Sequence, residues 1–202
     1  MKKIIFIISA IIIFTNISCS VYKTIINVSR LKFKIGIVDN FSINGVSLEG
    51  KTSVRDFSPF EVLKITSAFA KREFPISFLI NVEAKNPNDG NGGYPKQDVG
   101  LQSFPWSLYI DDKETISGNI NNPISIPGTG EVTNIPIRVD VDLLKFFKDK
   151  DYDQLLNLVF ALAGEKNRSS KIILFAQPTV STLLGEITYP GKLKIISTEF
   201  SN

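Results

Sequence analysis

Asp140 and Asp142 stand two residues apart in a run that alternates apolar and polar residues. On a strand their carboxylates therefore share a face, and Asp149, Asp151 and Asp153 repeat the spacing. Paired carboxylates can divide acid and base roles or hold a divalent cation. Lys145, Lys148 and Lys150 are interleaved with them. Acids also gather at helix starts with no further role, so the plainer account is of solvated strand-end and helix-start charges. A second candidate is Asn86-Pro87-Asn88-Asp89-Gly90-Asn91-Gly92-Gly93, whose side-chain oxygens could ligate calcium. It lacks the residue order and late glutamate of a helix–loop–helix calcium site, and no Gly-Lys-Ser/Thr closes it as a phosphate loop. A mobile turn is the expectation for 89–93.

The chain has no histidine and one cysteine. That removes Ser-His-Asp and Cys-His nucleophile arrangements and the common zinc sites. The expectation is a protein with no catalytic residue, no metal and no cofactor. Trp106, with Phe104 and Tyr109, could line a ligand cleft, but aromatic residues at strand spacing are the usual filling of a sandwich core.

The single cysteine has a positional meaning. Lys2 and Lys3 precede an apolar run from Ile4 to Phe14, broken only by Ser9. That run is shorter than the ~20 residues of a membrane span and reads as the h-region of an export signal. Ser18 then precedes Cys19, which resembles a bacterial lipobox, with Asn16 in place of the usual aliphatic residue. The expected organisation is a signal peptide over 1–18, a lipidated tether over 19–27 and one domain over 28–202. Without residues 1–18 the chain holds 21 basic and 20 acidic residues, a net charge of +1. That balance gives no electrostatic case for nucleic acid. Ser20-Val21-Tyr22-Lys23 contains no acidic residue, which points to the periplasmic face of the envelope. Arg30, Lys32 and Lys34 could touch anionic headgroups, although alternating lysines more often guard a sheet edge.

The elements that would position these residues are mostly strands. Ile76, Phe78, Ile80, Val82 and Ala84 alternate with polar partners in one long strand that ends in Asn86-Pro87-Asn88. Leu31, Phe33, Ile35 and Ile37 mark another, closed by a turn at Asp39-Asn40 before a shorter strand from Phe41 to Leu48. Val99 to Ile110 (interrupted by Pro105), Glu114 to Ile120, Val132 to Val141, Lys171 to Ala176 and Lys192 to Ser197 follow, giving eight to nine strands. Ser58-Pro59-Phe60-Glu61 is a capping box opening a helix to Arg72, with Phe60, Val62, Leu63, Ile65, Ala68 and Phe69 as its apolar face. A second helix is expected from a cap at Asp140 or Asp142 through Leu143 and Phe160 to a stop at Gly164.

The run Phe78-Leu79-Ile80-Asn81-Val82, then Asn86-Pro87-Asn88, Trp106-Ser107-Leu108-Tyr109-Ile110, Ile124-Ser125-Ile126-Pro127-Gly128-Thr129-Gly130 and Ile135-Pro136-Ile137-Arg138-Val139 resembles the late embryogenesis abundant group 2 family, which contains the water stress and hypersensitive response domain. The resemblance implies a fibronectin type III or immunoglobulin-like antiparallel β-sandwich, here all-β dominated with two added helices. It also implies a stress-protective or chaperone-like envelope protein with no catalytic residues. The partners expected are a membrane, through a lipid on Cys19, and unfolded client proteins or one envelope protein served as an adaptor. A carboxylate-based hydrolase is the remaining alternative. Ile80→Asp is expected to unfold the domain, and Asn88→Ala to cost only local turn stability.

Overall fold

The computed structural model describes residues 29–164, 171–182 and 185–201. The signal segment 1–18, Cys19 and the tether lie outside the described residues. The element order is β1 Lys32–Ile43, β2 Val46–Ser47, α1 Pro59–Ala70, β3 Pro75–Lys85, β4 Val99–Ser103, β5 Trp106–Ile110, β6 Lys113–Gly118, β7 Ile124–Ile126, β8 Val132–Asp142, α2 Tyr152–Leu162, β9 Ile172–Ala176, β10 Thr179–Thr182, β11 Gly185–Thr188 and β12 Leu193–Ile195. Short 3-10 turns occupy Val54–Asp56 and Leu143–Lys145.

One layer is a four-stranded sheet in the order β2-β1-β3-β8. β3 is its centre, with every second side chain buried from Ile76 to Ala84. It pairs with β8 at all eleven positions without a register shift. Alternation alone specified that register, because a one-residue slip would turn the whole apolar face to solvent.

The second layer holds two sheets with the same order, β12-β9-β5-β6 and β11-β10-β4-β7. Chain continuity joins β4 to β5, β6 to β7, β9 to β10 and β11 to β12. Pro105, Pro123, Pro178 and Pro190 fall in these four junctions. A proline cannot donate to a ladder, so the four lines of strand are creased at one level. Bonds between the junction segments include Gln177 N–H to the Pro105 carbonyl (2.9 Å), Tyr189 N–H to the Pro178 carbonyl (2.9 Å), Gln177 Nε2 to the Tyr189 carbonyl (2.8 Å) and Phe104 N–H to Asn119 Oδ1 (2.6 Å). The twelve short strands thus follow eight extended paths, which reconciles them with the eight to nine read from the sequence. The polar hairpin of β10 and β11 escaped that reading, because Thr179–Thr182 and Gly185–Thr188 carry little apolar alternation.

All pairings are antiparallel. The inner faces of both layers form one core, crossed by Phe33 against Phe104 with ring centres 5.4 Å apart. The expected all-β-dominated antiparallel fold with two helices is the fold observed. Trp106 and Phe104 are buried in it, as the packing account has it, but Tyr109 is not: its hydroxyl donates to Glu114 Oε2 at 2.8 Å on the outer face.

Three local expectations are corrected. Asp39-Asn40 does not end a strand: β1 continues through two bulges, between Ile35 and Val38 and between Asp39 and Ser42. The first bulge reverses the facing of the next residue, so Ile37 is 69% exposed rather than part of the core. The turn lies instead at Asn44-Gly45, both with positive φ, which is the hairpin chemistry that Asn-Gly favours. The second helix does not start at Asp140 or Asp142. Asp142 caps only a 3-10 turn, and α2 is capped by Asp151 in a box with Gln154.

The helices close one end of the sandwich. Phe69 of α1 meets Phe74 at the start of β3 and Tyr152 of α2 edge-on, and Phe57 lies beside Phe160 of α2. The capping box at Ser58 is formed as expected, Ser58 N–H donating to Glu61 Oε2 at 2.8 Å. That bond is the main cause holding the Glu61 carboxyl below its ordinary range. Of the expected apolar face of α1, however, only Ile65 and Ala68 are buried, with Val62 and Phe69 partly so.

Candidate functional site

The acidic candidates do not form one site. Arg138 and Asp140 pair with each other at 2.9 Å on an open surface, their side chains 73% and 60% exposed. Asp142 accepts from the N–H of Phe74 (2.8 Å) and of Leu144 (3.1 Å), joining the ends of β3 and β8. Asp151 accepts from Gln154 N–H at 2.8 Å. Asp140, Asp142 and Asp151 are thus occupied in holding backbone or a neighbouring cation. Among the described residues no group of three or more acids, histidines or cysteines could hold a metal ion. In the loop 89–93, Asp89 Oδ1 accepts from Asn91 N–H at 3.0 Å, and that bond is the main cause lowering its pKa.

The opposite end of the sandwich from the helices holds a buried polar node that sequence reading had reduced to a turn. Asn86 and Asn88 are both fully buried. The Asn86 amide donates to the carbonyls of Gln97 (2.8 Å) and Ile126 (3.0 Å). Its oxygen accepts from Asn88 N–H (3.2 Å) and Asn88 Nδ2 (2.9 Å). Backbone bonds add Gly130 N–H to the Asn86 carbonyl and Gln97 N–H to the Asn88 carbonyl, each 3.1 Å. Gly128 runs so close that a Cβ there would lie 2.4 Å from the Asn88 carbonyl oxygen and 2.6 Å from that of Gln97. Both obstacles are backbone, which cannot swing aside. The motif therefore ties the end of β3 to the segments before β4, after β7 and before β8. The expectation that Asn88→Ala costs only local turn stability is corrected, because Asn88 is interior and shared by three segments.

The chain enters the domain at this node. Arg30 donates to Asn88 Oδ1 at 2.9 Å and lies 3.6 Å over the Tyr94 ring. Lys34 pairs with Glu83 at 3.0 Å. Of the three basic residues read as a headgroup contact, two are engaged within the domain. The C-terminal segment meets β1 at the same end. Ile35 N–H donates to the Ile196 carbonyl (2.9 Å), Ser201 N–H to the Phe33 carbonyl (2.7 Å) and Phe33 N–H to Ser201 Oγ (2.9 Å).

Two further surfaces were not legible beforehand. A cleft of about 1030 Å³ opens between the bulged stretch Val38–Ser42, the loop Gly45–Thr52 and the end of α2 at Ala163–Gly164. The Thr52 hydroxyl in its lining donates to the Asp56 carboxylate at 3.2 Å, and Asp39 Oδ1 sits buried in its wall without a hydrogen-bond partner. The other surface lies on α1, where Phe60 is 75% and Leu63 65% exposed, with Val54 also exposed nearby in sequence. At i and i+3 these two large side chains share a face turned away from the core.

No family model and no curated protein matches the chain. Among solved structures, a crystal structure of a protein from Archaeoglobus fulgidus is 12% identical, covering 80% of this chain and 94% of that one at a TM-score of 0.34. A solution structure of a protein from Arabidopsis thaliana is 17% identical, covering 83% of each chain at a TM-score of 0.36. Likenesses this distant do not bear on what the chain does.

Proposed function

We propose that this chain is a non-enzymatic envelope lipoprotein, held to a membrane by a lipid on Cys19, that shields partly unfolded proteins during stress. Its role is the protective one implied by the resemblance to the late embryogenesis abundant group 2 family. The observation that carries the reading is the exposed pair Phe60 and Leu63 on α1, placed at the far end of the long strands from the chain's entry. β1 runs between those ends, and the stretch of β3 it pairs with, Ile76 to Lys85 at ~3.3 Å per step, separates them by about 30 Å. A tether entering at Arg30 would leave α1 facing away from the lipid. Exposed aromatic and aliphatic side chains there offer unfolded chains an apolar contact. The structural roles taken by Asp140, Asp142 and Asp151 also favour binding over hydrolysis.

Two measurements test this. Cys19→Ser is expected to move the protein from the membrane fraction to the soluble fraction of lysed cells, and unchanged fractionation refutes the anchor. The double variant Phe60→Asp/Leu63→Asp is expected to keep wild-type stability within ~0.5 kcal/mol, since both side chains already face water. It should lose most of the wild type's suppression of aggregation when an unrelated heat-labile enzyme is warmed with stoichiometric protein. If the wild type protects no such enzyme and instead co-purifies from crosslinked envelopes with one protein, the adaptor reading replaces this one.

A further inference from the structure

We infer that the outer edge of β8 is a self-pairing edge, through which two copies of this chain join β8 to β8 in antiparallel register. β8 is the outermost strand of its sheet and eleven residues long. On its inner side it is bonded to β3 throughout. On its outer side, among the described residues, it makes no backbone hydrogen bond.

Which residues face out follows from two bonds. Leu143 N–H, just past the strand, donates inward to the Phe74 carbonyl, and the Pro75 carbonyl opposite Asp142 points the other way, to Asn44 N–H. Backbone direction alternates along a strand, so the odd positions bond to β3. Val132, Asn134, Pro136, Arg138, Asp140 and Asp142 turn their N–H and C=O groups outward. Pro136 agrees, because a proline inside a paired strand is tolerated only where its missing N–H faces the open side.

Other edges are managed in the usual ways. β7, β11 and β12 are three or four residues long. β6 pairs across a bulge, and β1 is bulged twice and covered by β2 and the C-terminal segment. β8 has no bulge and no lysine, and beyond Pro136 and the charges of Arg138 and Asp140 only β6 of the other layer comes near it. A long open edge of this kind accepts another strand.

The charges identify that strand as a second copy. In antiparallel self-pairing centred on Val139, Arg138 of one copy stands opposite Asp140 of the other, and the two-fold axis repeats the pair. The interface is isologous and its four charges alternate in sign. Pro136 then falls at the end of the ladder, opposite Asp142, where its missing donor removes a terminal bond rather than a central one. Centring on Pro136 would instead set the two prolines against each other and place Asp140 against Val132. The association is weak in solution and is strengthened by tethering, which supplies effective concentrations of about 1 mM.

The test uses charge reversals at two exposed positions, which leave folding intact. Sedimentation of the full-length protein in detergent is expected to show a concentration-dependent dimer. In Arg138→Asp both positions are acidic, and in Asp140→Arg both are basic. Each variant alone should self-associate at least about tenfold more weakly than wild type, since two attractive cross-strand pairs become repulsive. Mixed one to one, the variants should recover a dimer, now between unlike chains. A wild type that stays monomeric up to about 1 mM overturns the proposal. So does a dimer that survives both single reversals, or a mixture that recovers nothing. The Phe60 and Leu63 surface is untouched by these changes, so failure here is separable from failure of the protective reading.

Discussion

Asn86→Asp is expected to lower the stability of the domain by about 4 kcal/mol or more, measured by urea denaturation at neutral pH. The side chains are nearly equal in shape, so the effect is one of hydrogen-bond polarity. The native amide donates to the buried Ile126 carbonyl and the part-buried Gln97 carbonyl and accepts from two N–H groups of Asn88. A carboxylate keeps the acceptor half but sets a second anionic oxygen against the Gln97 and Ile126 carbonyls, with no water to screen it. Asn86→Ala removes all four bonds without adding charge and should cost about 3 kcal/mol, because the partners left behind are buried and unpaired. The two variants separate on acidification. Burial and the facing carbonyls favour the protonated acid in the folded state, so the folded pKa at that position lies above the unfolded one. Protonation restores one donor. The deficit of Asn86→Asp relative to wild type therefore shrinks as pH falls toward the unfolded-state pKa and is full above the folded one, while that of Asn86→Ala stays level.

Ile80→Asp is expected to abolish cooperative folding. Ile80 is fully buried at the middle of β3, opposite Val38 of β1 and Ile137 of β8. The change loses about 2–3 kcal/mol of side-chain burial and places a carboxylate where no cation or donor can reach it. Together these approach or exceed the ~5–15 kcal/mol that holds a domain of this size. Circular dichroism should show loss of the native β signal, with no two-state urea transition. The control is Leu79→Thr, one residue along on the outer face, which should fold and cost about 1 kcal/mol or less. If Ile80→Asp folds as well as Leu79→Thr, the assignment of the inner face of β3 is wrong.

These two sites show what the sequence could and could not disclose. The facing of β3 is a local property, written in alternation, and needed no knowledge of its neighbours. The capping box at Ser58 was legible for the same reason. The value of Asn86 was not, because its two carbonyl partners lie eleven and forty residues downstream. An Asn-Pro-Asn at a strand end reads as a turn until the segments around it are placed. The bulges of β1 were hidden in a similar way: an extra residue in one strand is visible only against the register of its partner. The exposure of Phe60 and Leu63 was masked by helical periodicity itself. Apolar residues at every suitable spacing on α1 outline a face wider than the core could cover, and the sequence does not say which part is left over. Of the four prolines of the crease, Pro105 read as a local interruption of one strand. Their common level appears only when the strands are laid side by side.

On the proposed reading of a lipid anchor at Cys19 and a client surface on α1, the node also sets the mechanics of the molecule. Arg30 is pinned to Asn88 and Tyr94 where the chain enters, and the client surface proposed on α1 lies at the other end of the strands. Any pull between membrane and client is then directed along β1 rather than across it. Force in that direction shears the bonds of β1 to β3 and to the C-terminal segment all at once, whereas a pull from the side would peel them one after another. Shear across so many parallel bonds makes forced unfolding slow. The first contacts to yield are the Arg30 guanidinium and its seat on Tyr94, and their release lengthens the tether by a few residues while the sandwich stays intact.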